Sequence, residues 1–105
     1  MSLDVTVLDD QDQVVRSVSF GVDEHWEVVE FARQRNLPLL GRLRDYYSDA
    51  EISVEELSAF LEEVEAAIRS RELNPEVRPR LEQLADAIRF AITEDRSLVV
   101  LADYA

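Results

Sequence analysis

The stretch Ile52 to Ile68, ISVEELSAFLEEVEAAI, constrains the fold more than any other part of the chain. Two start signals coincide at its beginning. Ser53 followed three residues later by Glu56 is a capping box: the serine oxygen takes an orphan amide, and the glutamate reaches back to the amide of Ser53. Ile52 before the cap and Leu57 at the fourth helical position make a hydrophobic staple. Val54, Leu57, Leu61, Val64 and Ile68 then recur in steps of three and four, which places them on one helical face. Glu55, Glu56, Glu62 and Glu63 fall mainly on the opposite face. The spacing predicts a long amphipathic helix running to about Glu72, with an acidic outer side in water.

The flanking segments predict strands and further helices. Leu3, Val5 and Val7 alternate with Asp4 and Thr6, the period of a strand with one wet face. Val14 to Phe20 follows after the polar Asp10–Gln13 turn, so the first twenty residues read as a β-hairpin. That turn lacks Asn-Gly or Asp-Gly, which predicts a loop longer than two residues. Asp23 can cap a helix starting near Glu24, in which Trp26, Val28, Val29, Phe31 and Ala32 spread over a broad apolar arc, the pattern of a helix buried on more than one side. Asn36-Leu37-Pro38 ends it. Pro38 can open another helix carrying Leu39, Leu40, Leu43, Tyr46 and Tyr47, although Gly41 weakens it. Asn74-Pro75 is a further helix start, with Val77, Leu81, Leu84, Ile88 and Ile92 as its stripe. The short connection before it favours an antiparallel helical hairpin. Leu98 to Ala102 is an apolar, β-branched run that reads as a strand covered on both faces.

Taken together, one α+β domain over residues 1–105 is expected. It has an N-terminal hairpin, about four helices, and a C-terminal strand completing a three-stranded sheet. A helix-only architecture is the alternative if the terminal runs are not strands. At 105 residues the length suits one domain, and 47% hydrophobic content argues against disorder. The chain has no cysteine, no apolar run of membrane-spanning length and no signal-like start, which makes the cytoplasm the default expectation.

Charge narrows the function classes. Eleven basic and 23 acidic residues give a net charge of −12, and every basic residue is arginine. A chain this acidic is repelled by nucleic acid and by anionic membranes, and attracted to a basic protein. The same composition also arises as a solubility or salt adaptation, which would explain the missing lysine. The charges are segregated: −7 over residues 1–31, +4 over 32–44 (Arg33, Arg35, Arg42, Arg44), −8 over 45–68 and −1 over the rest. Such a dipolar middle either steers a partner or pairs internally.

Few residues carry recognisable chemistry. Asp45 to Glu56, DYYSDAEISVEE, resembles an EF-hand loop over twelve residues, with Asp45, Asp49, Ile52, Ser53 and Glu56 at positions 1, 5, 8, 9 and 12. Tyr47 at position 3 removes a ligand, and Ala50 stands where the sharp turn needs glycine. His25, the only histidine, has no evident catalytic partner and reads as a solvated first-turn residue. No glycine-rich phosphate loop exists. No enzyme activity, cofactor or metal is therefore expected.

Tyr46 and Tyr47 beside Asp45, Asp49 and Glu51 form an aromatic–acidic cluster of the kind found at interfaces, or else pack at the edge of the core. Phe90 lies about 160° from its helix's stripe, so it is either covered by another element or exposed for a partner. The partner-binding candidates are thus Asp45, Tyr46, Tyr47, Asp49 and Glu51, the helix face of Glu55, Glu62 and Glu63, and Phe90. The leading expectation is a small, acidic, non-catalytic module that neutralises a basic partner, as an inhibitor or immunity-type protein does. The alternatives are a structural or regulatory homo-oligomer, such as a homodimer, using Trp26 or Phe90, and a divalent-cation binder through residues 45–56.

Overall fold

The alternation that begins the chain builds the centre of a sheet. The structure, a computed structural model, describes residues 2–44 and 50–103. Its elements run β1 (Ser2–Leu8), β2 (Val14–Gly21), α1 (Val22–Arg35), a 3-10 turn at Leu40–Arg44, β3 (Ala50–Ile52), a 3-10 turn at Val54–Glu56, α2 (Leu57–Arg69), α3 (Arg78–Glu94) and β4 (Leu98–Asp103). The four strands lie in the order β2-β1-β4-β3, all antiparallel. Val5 pairs with Val18 on one side and with Val100 on the other.

Leu3, Val5, Val7, Val18, Phe20, Ile52, Leu98 and Val100 are all buried and point towards the helices. The opposite sheet face carries Asp4, Ser17, Ser19, Val99 and Leu101, none of them fully buried. Helices cover only one face, so Val99 and Leu101 are half-buried rather than enclosed as expected. Buried Thr6 is satisfied on that outer face by donating its hydroxyl to the Val99 carbonyl at 2.8 Å.

The hairpin loop spans residues 9–13, longer than two residues as expected. Asp9 organises it: its carboxylate accepts the amides of Gln13 (2.9 Å) and Gln11 (2.8 Å), which holds its pKa below the ordinary value. Arg96 ties the loop down through the Leu8 carbonyl (3.2 Å) and Asp10 (3.1 Å).

The sheet has four strands instead of the expected three, and there are three α-helices instead of about four. The additional strand, β3, pairs with β4 through Ala50–Val100, Glu51–Val99 and Ile52–Leu98. The segment after Pro38 winds as a five-residue 3-10 turn rather than a helix. Gly41 gives weak helix propensity there. Buried Leu39, Leu40 and Leu43 anchor this segment to the core.

The helices start near the marked signals but not at them: α1 begins at Val22 and is capped at Gly21, with Glu24 reaching back to its amide, rather than at Asp23. Glu56 accepts the Ser53 amide at 3.1 Å and the Ser53 hydroxyl at 3.0 Å, and both staple residues, Ile52 and Leu57, are fully buried. This box caps a 3-10 turn, and the α-helix proper begins at Leu57. Val54 consequently lies outside the core stripe at 39% exposure. The inward face of α2 is Leu57, Phe60, Val64 and Ala67, with Leu61 and Ile68 at its edge. α2 ends where Arg78, from the start of α3, donates to the carbonyls of Ile68 and Ser70, each at 2.9 Å, placing a cation on the negative end of the helix. Glu65, nearly a turn earlier in α2, meets Arg89 further along α3, the relation of an antiparallel pair.

At Asn74-Pro75 the chain makes a turn before any helix: the Asn74 side chain accepts the Glu76 amide at 3.0 Å. α3 starts at Arg78 with Pro79 in its first turn. Its buried stripe is Leu81, Leu84, Ala85, Ile88 and Ala91, while Ile92 is 39% exposed.

Candidate interaction surfaces

The acidic side of α2 divides into used and unused carboxylates. Glu55 and Glu62 are exposed and make no ion pair among the described residues. Glu63, expected to be exposed with them, is half-buried and reaches across to the 3-10 turn. Its carboxylate accepts the Leu39 amide at 3.0 Å and the Leu40 amide at 3.0 Å, two donors that the start of a helical turn leaves without partners. Glu63 is therefore a structural cap. Glu51, on edge strand β3, is exposed.

The arginine-rich block pairs within the chain. Arg33 binds Glu30, Arg35 binds Glu72, and Arg42 forks onto Glu56 at 2.8 and 2.5 Å. The Arg42 fork, helped by the Ser53 amide and hydroxyl, pulls the Glu56 carboxyl down to about 2. Three of the block's four arginines, Arg33, Arg35 and Arg42, are thus paired within the chain, which leaves most of the described acids of residues 45–68 outside this scheme.

Asp45, Tyr46, Tyr47 and Asp49 lie outside the described residues, and with them positions 1 and 5 of the EF-hand-like loop. Glu56, which would be that loop's bidentate ligand, is already held by Arg42 and Ser53. Among the described residues no cluster of His, Asp or Glu is arranged to hold a metal ion. Among them, too, no helix is long and apolar enough to cross a membrane.

Phe90 is covered rather than free. It is half-buried against the core, and the guanidinium of Arg16 from β2 lies 4.1 Å from its ring centre.

His25 reverses its expected role. It is 1% exposed, and its Nε2 hydrogen-bonds the Leu43 carbonyl, tying α1 to the 3-10 turn. Burial lowers its pKa below the ordinary value, and the Leu43 hydrogen bond opposes that only in part. The inward stripe of α1 is His25, Val28 and Ala32. Trp26, assigned by its apolar character to the broad arc, points outward at 58% exposure.

Trp26 borders a groove of about 690 Å³ between α1 and the turn that leads into α3. Asp23, Glu24, Glu27 and Glu30 line it from α1, and Asn74, Glu76 and Val77 from the other side. Glu24 is paired with Arg80 at 3.2 Å, and it caps α1 by accepting the Gly21 amide at 3.1 Å. Asp23, Glu27 and Glu76 are exposed and form no ion pair among the described residues. Trp26 was expected at a surface only as a self-association residue, and the carboxylates around it were not anticipated, although the three- and four-residue steps of Asp23, Trp26, Glu27 and Glu30 are visible in the sequence.

No family model, curated protein or solved structure matches this chain.

Proposed function

We propose that this chain is a non-catalytic binding protein that neutralises a basic partner, in the manner of an inhibitor or immunity-type protein seated over a cationic site. One observation carries the reading. Arg33, Arg35, Arg42, Arg80, Arg89 and Arg96 are all engaged with carboxylates of the same chain. The acids left over, among them Asp23, Glu27, Glu55, Glu62 and Glu76, are exposed without an ion pair among the described residues. The surplus negative charge is therefore outward-facing, where it raises encounter rates with cationic surfaces and repels nucleic acid. The burial of His25, the one histidine, against backbone supports the non-catalytic part.

Self-association through Trp26 is disfavoured by the same charges, because Asp23, Glu27 and Glu76 of two copies would be driven together.

Competition tests the proposal. A basic DNA-binding nuclease is loaded with labelled, uncleaved DNA in chelator, and this chain is added at low salt. Release of the DNA is expected, and it should be lost on raising salt from about 50 to 200 mM. DNA that stays bound in excess of this chain, or release that ignores salt, contradicts the proposal.

A further inference from the structure

Resting on that reading, we infer that the groove beside Trp26 seats an arginine-bearing segment of the basic partner, its guanidinium stacked on the indole and its donors on the surrounding carboxylates. Trp26 is the most exposed large apolar side chain described, at 58%. Tryptophan and arginine are the residue types most enriched where binding energy concentrates. The indole is also braced. Its ring meets the buried His25 ring edge-on, at 5.7 Å between centres and 61° between planes, and His25 is itself held by the Leu43 carbonyl. A ring fixed on one side and open on the other loses little freedom when a ligand stacks on it.

The chain shows the same contact elsewhere. Arg16 lies over Phe90 at 4.1 Å, and Arg35 over Phe31 at 5.6 Å. Tryptophan is the best aromatic acceptor of a cation, yet among the described residues no arginine of this chain covers Trp26. Around it, Asp23 and Glu27 from α1 and Glu76 from the facing turn are exposed and without an ion pair. A guanidinium stacks flat and presents a planar fork of donors, so it satisfies ring and carboxylates together. An ammonium, a point donor, does so less well.

The experiment uses the whole chain and a dye-labelled peptide, Gly-Arg-Gly-Arg-Gly-Arg, with its all-lysine counterpart. Binding is read by anisotropy and by the emission of Trp26, the one tryptophan in the sequence. The arginine peptide should bind more tightly than the lysine peptide and alter Trp26 emission. Trp26→Ala should weaken it roughly 3- to 30-fold, the range of a partly to well desolvated cation–π contact, and Trp26→Phe less. Glu27→Gln with Glu76→Gln should also weaken it and flatten its salt dependence. Glu82→Gln with Glu94→Gln, the same charge change on α3, should leave it within about twofold. Circular dichroism confirms that each variant is folded.

Distinct results overturn distinct statements. If Glu55→Gln with Glu62→Gln weakens binding while Trp26→Ala does not, the groove is refuted and attraction to a basic partner stands. If the wild-type chain binds neither peptide at low salt, the groove and the neutralising function both fall. If light scattering finds a dimer that Trp26→Ala converts to monomer, the occupant is a second copy and the inference is wrong.

Discussion

Glu62 and Glu63 are adjacent on α2 and do different work. Glu62 faces water, while Glu63 accepts the backbone amides of Leu39 and Leu40 at the entry to the 3-10 turn. Removing the Glu63 carboxylate strands those donors in a part-buried site. Glu63→Ala should therefore cost about 1–3 kcal/mol, and Glu62→Ala should stay within about 0.5 kcal/mol. Urea unfolding of the two variants distinguishes them; equal effects would mean the cap is not there. His25 and Glu56 set the response to acid. The folded state holds His25 below its ordinary pKa of 6.5, so the unfolded chain takes a proton that the folded chain refuses. Stability is therefore full above about pH 6.5 and declines as pH falls below it. His25→Gln should flatten that limb of a melting-temperature profile, and a profile that rises on acidification would contradict the buried, neutral imidazole. Glu56 acts in a separate window. Its contribution is present above 4.5 and is lost as pH falls towards about 2, so Glu56→Gln should shrink this lower step, to which Asp9 and Glu30 also add, and leave the His25 limb unchanged.

At the level of elements, α2 shows why periodicity alone is incomplete. Leu57 and Val64 fit a stripe completed either by Leu61 and Ile68 or by Phe60 and Ala67, since all of these are apolar. Packing selects Phe60 and Ala67, both fully buried. Phe60→Ala should therefore cost about 3–5 kcal/mol, and Leu61→Ala, at the edge, less than half as much. Chemical denaturation decides this, and a larger loss at Leu61 would place the wrong face inward. The hairpin, the capping box, the staple and the C-terminal strand itself were legible because each has a local signature, whereas the pairing of that strand with β1 joins residues far apart in the chain. β3 was not legible: Ala50-Glu51-Ile52 is too short to show alternation and exists by pairing with β4. In α1 the residue types mislead, because the inward stripe contains a histidine and the outward face a tryptophan. Composition assigns those two positions the wrong way round. Most of the proposed groove went unread for that reason, and its other wall comes from residues about fifty positions away, which no local pattern connects to α1.

Across the whole molecule, charge and stability are separable. Arg33, Arg35, Arg42, Arg80, Arg89 and Arg96 are drawn into ion pairs that are mostly exposed and individually weak. The unpaired acids hold nothing together, so Glu55→Gln with Glu62→Gln should leave the chain as stable or slightly more stable at low salt. A clear loss of stability would mean these carboxylates have structural partners. What the acids contribute, on the proposed function, is the approach of a cationic surface. Stopped-flow mixing with an arginine-rich basic protein, followed by tryptophan emission, measures that approach most directly. The expected result is an association rate that falls steeply between about 50 and 200 mM salt while dissociation changes little, since screening acts on the encounter of exposed charges. An association rate independent of salt would contradict it.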